Sequence, residues 1–154
     1  MKTTLIFDMD DTLNKFYDYP HWLDLIRADD PAPYLYAAPK WDMEKLGNVL
    51  AALQAQGVEI KIVSWLSMTS NAAFDTATRA AKRKWLKKYH ICPDHCHLVK
   101  YGTPKERYRN TANRNILFDD NAEIRKRFAD CANCLTIDPN ATDIIEYLSN
   151  LLKG

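Results

Sequence analysis

Residues 5–12 read Leu-Ile-Phe-Asp-Met-Asp-Asp-Thr, an apolar run that turns acidic at Asp8. The run Thr3–Asp8 is almost wholly apolar, which predicts a short strand buried on both faces, as in parallel sheets. Asp8 ends this strand and Asp10 lies just beyond it. Because open parallel sheets bind ligands at the carboxyl ends of their strands, the stretch indicates both a fold class and a site.

Four further apolar runs predict strands, and helical patterns lie between them. With Thr3–Asp8, the predicted strands are Glu59–Ser64, His97–Tyr101, Asn115–Asp119 and Cys134–Asp138. The predicted helices are Trp41–Gln56, Asn71–His90, Pro104–Thr111, Ala122–Ala129 and Ala141–Leu152. Alternating strands and helices favour an α/β domain with a mainly parallel five-stranded sheet. The length of 154 residues suits one domain over residues 1–154.

Residues 14–40 interrupt this alternation. The segment is rich in tyrosine and tryptophan and contains four prolines, which predicts irregular loops around a short helix near His21–Arg27. A loop of this length in a small domain is typically functional, and we interpret it as a short lid or insertion. Its aromatic side chains could pack the segment onto the sheet or stack on a nucleobase.

Overall composition gives little indication of a nucleic-acid or membrane partner. The chain has 21 basic and 20 acidic residues, so it gives no strong signal for nucleic acid. We interpret the basic run 82–88 as the solvated face of a helix. No signal peptide or membrane-spanning run is present, which predicts a cytoplasmic protein without a membrane partner. We interpret the four cysteines as reduced thiols, with a zinc site as the alternative.

Acidic side chains also follow the fourth predicted strand, where Asp119 and Asp120 are adjacent. Carboxylates that converge on one sheet edge repel one another, so their grouping with Asp8 implies a bound cation. Oxygen ligands of this kind favour Mg²⁺, which also pairs with phosphate. A calcium-binding EF-hand loop is excluded because its sixth position would be Leu13 rather than glycine.

Lys105 follows the third predicted strand. The sequence Thr103-Pro104-Lys105-Glu106 predicts a capping box at the start of a helix. A lysine in the first helical turn is disfavoured by the helix dipole, which suggests that an anion holds it there. The acidic cluster or a bound phosphate could be that anion.

These residues resemble, in order, the four motifs of the haloacid dehalogenase (HAD) superfamily of phosphohydrolases. The first motif, D-x-D-x-T, corresponds to residues 8–12, and the second corresponds to Ser64 at the end of its strand. The third corresponds to Lys105, and the fourth to the acidic pair Asp119-Asp120. The resemblance covers essentially the whole chain. It implies a Rossmann-like three-layer sandwich with strand order 5-4-1-2-3 and a short insertion after strand 1.

The resemblance also implies a role for each residue of the first two motifs. Asp8 would attack phosphorus and form an aspartyl-phosphate. Asp10 would act as general acid and base, and its backbone carbonyl would bind the metal. Thr12 would support the turn that holds Asp10. Ser64 would donate a hydrogen bond to the phosphoryl group, and Trp65 beside it could line the pocket that receives this group.

The remaining motifs supply charge and the metal site. Lys105 would offset the charge on the phosphate and on Asp8. Asp120 would bind Mg²⁺ directly with Asp8, whereas Asp119 would act through water or by positioning Lys105. Asn121 would support this pair. An acid–base group at Asp10 favours phosphate esters over carbon–halogen bonds.

The sequence therefore predicts a Mg²⁺-dependent phosphatase that acts on a phosphomonoester. Three functional classes remain at this point: a phosphatase of small phosphomonoesters, a nucleotidase or phosphatase of a nucleic-acid or protein phosphate, and a non-catalytic phosphate-binding protein. The strand order places the cysteine pairs at opposite edges of the sheet, roughly 19 Å apart, which is too far for one zinc ion. The oligomeric state is open.

Overall fold

The structure is a computed structural model that describes residues 1–68 and 71–154. The strands are β1 (Thr3–Phe7), β2 (Glu59–Trp65), β3 (His95–Val99), β4 (Arg114–Phe118) and β5 (Cys134–Ile137). The helices are α1 (Trp22–Arg27), α2 (Ala32–Tyr36), α3 (Met43–Ala55), α4 (Ala72–Lys88), α5 (Ala122–Ala129) and α6 (Ile144–Lys153). Two short 3₁₀ turns cover Phe16–Asp18 and Lys105–Tyr108.

The five strands form one parallel sheet in the order β3-β2-β1-β4-β5. Read from the β5 edge, this is the order 5-4-1-2-3. The first strand lies at the centre, where Leu5 pairs with Ile60 on one side and with Ile116 on the other. An α/β architecture with a five-stranded parallel sheet between helices is thereby confirmed.

The central strand alternates its side chains between two helical layers. Leu5 and Phe7 pack with α3 and α6 in the main core, and Ile6 packs with Phe128 of α5 on the opposite face. The side chains of Leu5, Ile6 and Phe7 are each at most 1% exposed. Burial on both faces explains why Leu5, Ile6 and Phe7 are all apolar, with no polar residue between them.

Asparagine and aspartate side chains begin the longer helices. Asp42, Asn71, Asn121 and Asp143 each accept hydrogen bonds from backbone N–H groups in the first turn of α3, α4, α5 and α6. Such N-caps satisfy donors that the helix itself leaves free. Because Asp143 is the cap, α6 begins at Ile144, three residues later than the predicted start.

The insertion after β1 is more helical than its sequence indicated. It contains α1, close to the predicted short helix, and also α2, which the prolines at positions 31 and 33 concealed. Its buried aromatics Phe16 and Tyr34 pack against Phe74 of α4. The interpretation that these aromatics pack onto the sheet is therefore wrong, because the insertion rests on α4.

The third strand begins two residues before the predicted start. His95 and Cys96 pair with Lys61 and Ile62 of β2. This strand lies at a sheet edge and exposes part of its surface, so its polar start did not read as a strand. The cysteines at 92, 96, 131 and 134 are free thiols, and β3 and β5 occupy opposite edges. None of the helices in the described part of the chain has the length and apolar character that a bilayer crossing needs.

Candidate active site

The predicted site residues meet at the carboxyl edge of the three central strands. Asp8 follows β1, Ser64 lies near the end of β2, and Asp119 follows β4. Lys105 joins them from the 3₁₀ turn before β4. All four side chains are buried, with Asp8 the most accessible at 7%.

Asp8 is held at both carboxylate oxygens. The Lys105 Nζ donates to Asp8 Oδ1 at 2.9 Å, and the Thr12 hydroxyl donates to Oδ2 at 3.1 Å. The backbone N–H of Asp8 donates to the Phe118 carbonyl, which extends the β1–β4 ladder to this residue. The carboxylate is therefore fixed both through its backbone and through its side chain.

A tight turn brings Thr12 back toward Asp8. The N–H groups of Thr12, Leu13 and Asn14 converge on the carbonyl of Met9. Asp11 takes a left-handed conformation with φ of 61°, which Asp adopts more readily than most residues. Thr12 Oγ1 also accepts from the backbone N–H of Asp120 at 3.2 Å, so the hydroxyl ties the first and fourth motifs together.

Lys105 does not lie in the predicted capped helix. The predicted helix Pro104–Thr111 is a single 3₁₀ turn over Lys105–Tyr108, and the Thr103 hydroxyl donates to the Lys100 carbonyl instead of capping it. The prediction of a capping box is therefore wrong, because the chain turns back after β3 before a helix can form. What holds Lys105 is its pair of ion contacts, to Asp8 at 2.9 Å and to Asp119 at 2.6 Å.

The electrostatics of Lys105 follow from these contacts. Burial by itself would lower the pKa of Lys105, but the carboxylates of Asp8 and Asp119 outweigh burial and raise the pKa above its ordinary value. The lysine is thus charged at every physiological pH. A fixed positive charge beside Asp8 is suited to receive a phosphate dianion.

The two carboxylates after β4 differ in how far their oxygens are already engaged by other groups. Asp119 Oδ2 accepts from Lys105, and its Oδ1 accepts from the N–H of Asn121 at 2.9 Å. Asp120 has no cationic partner among residues 1–68 and 71–154: its Oδ1 lies 3.5 Å from the Thr12 hydroxyl, and its carboxyl group lies beside that of Asp8. Asp120 is therefore the freer of the two, which agrees with its predicted role as the direct metal ligand.

Asp8, Asp119 and Asp120 fit a divalent cation. Each places a carboxylate oxygen within 4.8 Å of the others, and oxygens that share one Mg²⁺ lie about 3–4 Å apart. Burial, together with the charge of Asp8, raises the pKa of Asp120 to about 8 and that of Asp119 to about 6. The raised pKa values mean that nearby cationic side chains do not fully offset the negative charge of these carboxylates. A divalent cation would do so, and the all-oxygen donor set matches the preference of Mg²⁺.

Two predicted supporting residues have local structural roles. Asn121 caps α5 by accepting from the N–H groups of Glu123 and Ile124, which fixes the chain just after the acidic pair. The indole N–H of Trp65 donates to the Thr103 carbonyl at 2.8 Å, so it is already engaged. Trp65 lines the pocket, and because its N–H is bound to Thr103 it is not free to donate to a phosphate in that pocket.

Lys82 is a site residue that sequence analysis missed. The interpretation of residues 82–88 as a solvated face is wrong for Lys82, which is fully buried. Its Nζ donates to Asp10 Oδ2 at 3.0 Å, to Ser64 Oγ at 2.7 Å and to the Trp65 carbonyl at 2.9 Å. Helical spacing is the sequence pattern that could have indicated its burial, since Lys82 lies four residues after the buried Thr78 on the inner face of α4.

Asp10 is the partner of Lys82. Burial raises the pKa of the Asp10 carboxyl, and the charge of Lys82 opposes that rise. Its Oδ1 is buried and has no hydrogen-bond partner among residues 1–68 and 71–154. Asp10 lines the same pocket as Asp8, and 21% of its side chain is exposed.

A pocket of about 400 Å³ lies over these residues. Its floor includes Asp8, Asp10, Lys105, Asp119 and Asp120. Its walls come from the insertion and from the segments after β2 and β3. This volume lies within the range of small-molecule sites.

Comparison with known proteins identifies a shared fold. No protein-family model and no curated protein matches this chain. A solved structure described as "Structure of Pnkp1/Rnl/Hen1 complex" contains a chain that superposes with a TM-score of 0.57 at 16% sequence identity. The match covers 90% of this chain and 45% of the other, so this chain spans less than half the length of that protein. At this identity the likeness concerns the fold.

The raised carboxyl pKa values predict how stability depends on pH. In the metal-free protein we expect the melting temperature to fall between about pH 5 and pH 8.5, by more than about 3 °C. Asp119 and Asp120 have pKa values of about 6 and about 8, above the ordinary 3.8. The folded state therefore holds more protons than the unfolded state in this range, and that stabilisation is lost as pH rises through the folded pKa values.

Thermal melts in EDTA and in millimolar Mg²⁺ measure this effect. Mg²⁺ should recover most of the loss at high pH, because the ionised carboxylates bind it. Asp120→Asn should flatten the metal-free pH profile, whereas Asp130→Asn, which alters an exposed carboxylate, should leave it unchanged. A melting temperature that rises with pH in EDTA would contradict the expectation.

Proposed function

We propose that this chain is a Mg²⁺-dependent phosphatase of the HAD superfamily, which hydrolyses a phosphomonoester through an aspartyl-phosphate on Asp8. The observation that carries the proposal is the contact of Asp8 with both Lys105 and Thr12, beside Asp119 and Asp120. Residues from three of the four sequence motifs thus lie around the Asp8 carboxylate. The strand order, 5-4-1-2-3 from the β5 edge, supports the same superfamily.

Asp8 has the properties of an attacking carboxylate. Its two oxygens are oriented by Lys105 and Thr12, so little conformational freedom is lost before attack. The positive charge of Lys105 offsets the repulsion between Asp8 and an incoming phosphate dianion. Attack on phosphorus would form the bond from Asp8 to the phosphoryl group and release the alcohol, and water would then hydrolyse the aspartyl-phosphate.

Asp10 is suited to proton transfer in both steps. Its side chain lines the pocket beside Asp8 and is 21% exposed, which places it to give a proton to the leaving oxygen and later to accept one from water. Lys82 holds its Oδ2 in place. Lys82 also donates to Ser64 Oγ. Ser64 is fully buried and is not one of the residues that line the pocket, so the role we propose for it is to position Lys82.

Asp8 and Asp120 are the residues we propose to hold Mg²⁺, with the backbone carbonyl of Asp10. When bound, the ion would neutralise charge and align the phosphoryl oxygens with Asp8. Asp119 is less suited to direct ligation because Lys105 and the Asn121 N–H occupy its two oxygens. Its role in this proposal is to position Lys105.

Phosphate release from p-nitrophenyl phosphate tests the function. We expect hydrolysis that is lost in EDTA and restored by millimolar Mg²⁺. The Asp10→Asn variant, purified in the same way, controls for contaminating phosphatases because it should lack the acid–base step. Absence of Mg²⁺-dependent turnover between about pH 5 and pH 9, on this ester and on a panel of sugar and nucleoside phosphates, would reject the proposal.

A further inference from the structure

Exposed apolar side chains gather at the mouth of the active-site pocket. Among the described residues, the large hydrophobic side chains that remain exposed include Tyr17, Leu23, Met68 and Tyr101, and all four line this pocket. Two of them are tyrosines that come from different parts of the chain, Tyr17 from the insertion and Tyr101 from the segment after β3. An apolar rim above a charged floor is typical of a site that binds an amphipathic small molecule.

Tyr17 forms one aromatic wall. Its ring contacts Trp22 edge-on at 5.0 Å between centroids and Phe16 at 5.3 Å. Phe16 is buried and stacks on Tyr34, which anchors the group to α4. Tyr17 is nevertheless 52% exposed. The ring is thus supported by fixed neighbours while much of its surface remains available.

Tyr101 forms a second wall. Its ring contacts Trp65 at 4.8 Å, and Trp65 is fixed by its hydrogen bond to the Thr103 carbonyl. The Lys105 Nζ lies 5.5 Å from the Trp65 ring centroid. The aromatic surface therefore runs from the exposed Tyr101 down to the lysine that contacts Asp8.

The charges of the pocket limit how many phosphates it can accept. Its lining contains the four carboxylates of Asp8, Asp10, Asp119 and Asp120, and two basic side chains, Arg27 and Lys105. Lys82, which contacts Asp10 from α4, reduces the formal excess from two negative charges to one. One divalent cation then leaves the site with a single net positive charge. A single phosphate then meets Lys105 on the floor and Arg27 at the rim, whereas each further phosphate would add charge that the lining does not offset.

We propose that the substrate is a nucleoside monophosphate, whose phosphate lies at Asp8 and whose base contacts Tyr17 and Tyr101. This inference rests on the proposed phosphatase function and names its substrate class. A flat base can use exposed tyrosine rings without hydrogen bonds specific to its edge, so the site accepts several bases. A pocket of about 400 Å³ is large enough for a ligand of this class.

Comparison of a nucleoside 5′-monophosphate with ribose 5-phosphate isolates the contribution of the base. We expect kcat/KM to be at least about fivefold higher for the nucleotide, mainly through a lower KM. Tyr17→Ala and Tyr101→Ala should each reduce this ratio. Tyr36→Ala is the matched control, because Tyr36 is an exposed tyrosine of the same insertion that does not line the pocket, and it should leave the ratio unchanged.

Three results would overturn the assignment: equal kcat/KM for the two esters, equal ratios for Tyr17→Ala and Tyr36→Ala, or faster cleavage of an oligonucleotide with the same terminal phosphate. Calorimetry with the Asp8→Asn variant separates binding from turnover. If no ester is hydrolysed but this variant binds the nucleotide at least about fivefold more tightly than ribose 5-phosphate, the base site stands and the phosphatase proposal fails. If esters are hydrolysed without preference for the base, the phosphatase proposal stands and the proposed base site fails.

Discussion

Replacing Asp8 by asparagine should lower kcat by about 10⁴-fold or more, because the variant loses the carboxylate that we propose attacks phosphorus. An amide is a poor nucleophile but has nearly the same shape as a carboxylate. Its oxygen can still accept from Lys105 or from Thr12, so the fold should persist. Steady-state kinetics with p-nitrophenyl phosphate, together with a melting curve, measure both expectations.

Asp11→Asn is the matched control for this variant. Asp11 lies in the same turn, and asparagine tolerates its left-handed conformation as well as aspartate does. We expect activity close to wild type. If Asp8→Asn retained activity within tenfold of wild type, Asp8 would not be the nucleophile, whatever the result for Asp11.

Replacing Lys82 by methionine should lower kcat/KM by about 10²- to 10³-fold, the usual effect of losing one preorganised donor in an active site. Methionine fills much of the same volume but cannot donate to Asp10, Ser64 or the Trp65 carbonyl. The loss should appear mainly in kcat, because the role we propose for Asp10 is proton transfer. We also expect about 1–3 kcal/mol of destabilisation, since buried acceptors lose their donor.

Lys84→Met separates this role from a general effect of removing a lysine. Lys84 lies on the same helix, two residues further along, and is exposed. We expect its variant to match the wild type in activity and in stability. If Lys82→Met were destabilised but kept the wild-type kcat at a temperature where it is folded, Lys82 would serve packing alone.

The sheet and its acidic edge could be predicted from the sequence because both depend on local signals. A strand buried on both faces is apolar throughout, and β1, β2, β4 and β5 begin within one residue of their predicted starts. Asp8, Asp119 and Asp120 then follow directly, since residues at the ends of neighbouring parallel strands must be close. These features need no knowledge of how helices pack.

The features that sequence analysis missed depend on tertiary contacts. Thr103, Pro104 and Glu106 have the order of a capping box, but the short connection from β3 to β4 leaves room for only one 3₁₀ turn. Lys82 belongs to a run of basic residues, and only the packing of α4 against β2 shows that this lysine points inward. A buried lysine cannot be told from an exposed one by its local charge pattern.

The central position of β1 also determines when the candidate site can assemble during synthesis of the chain. Thr3 and Arg114 are paired residues of adjacent strands but lie 111 positions apart in the chain. As the ribosome makes the chain, β1 appears first and keeps an unpaired edge until β4 has emerged. Asp119 and Asp120 come later still, so the nascent chain carries the proposed nucleophile long before the proposed metal site is complete.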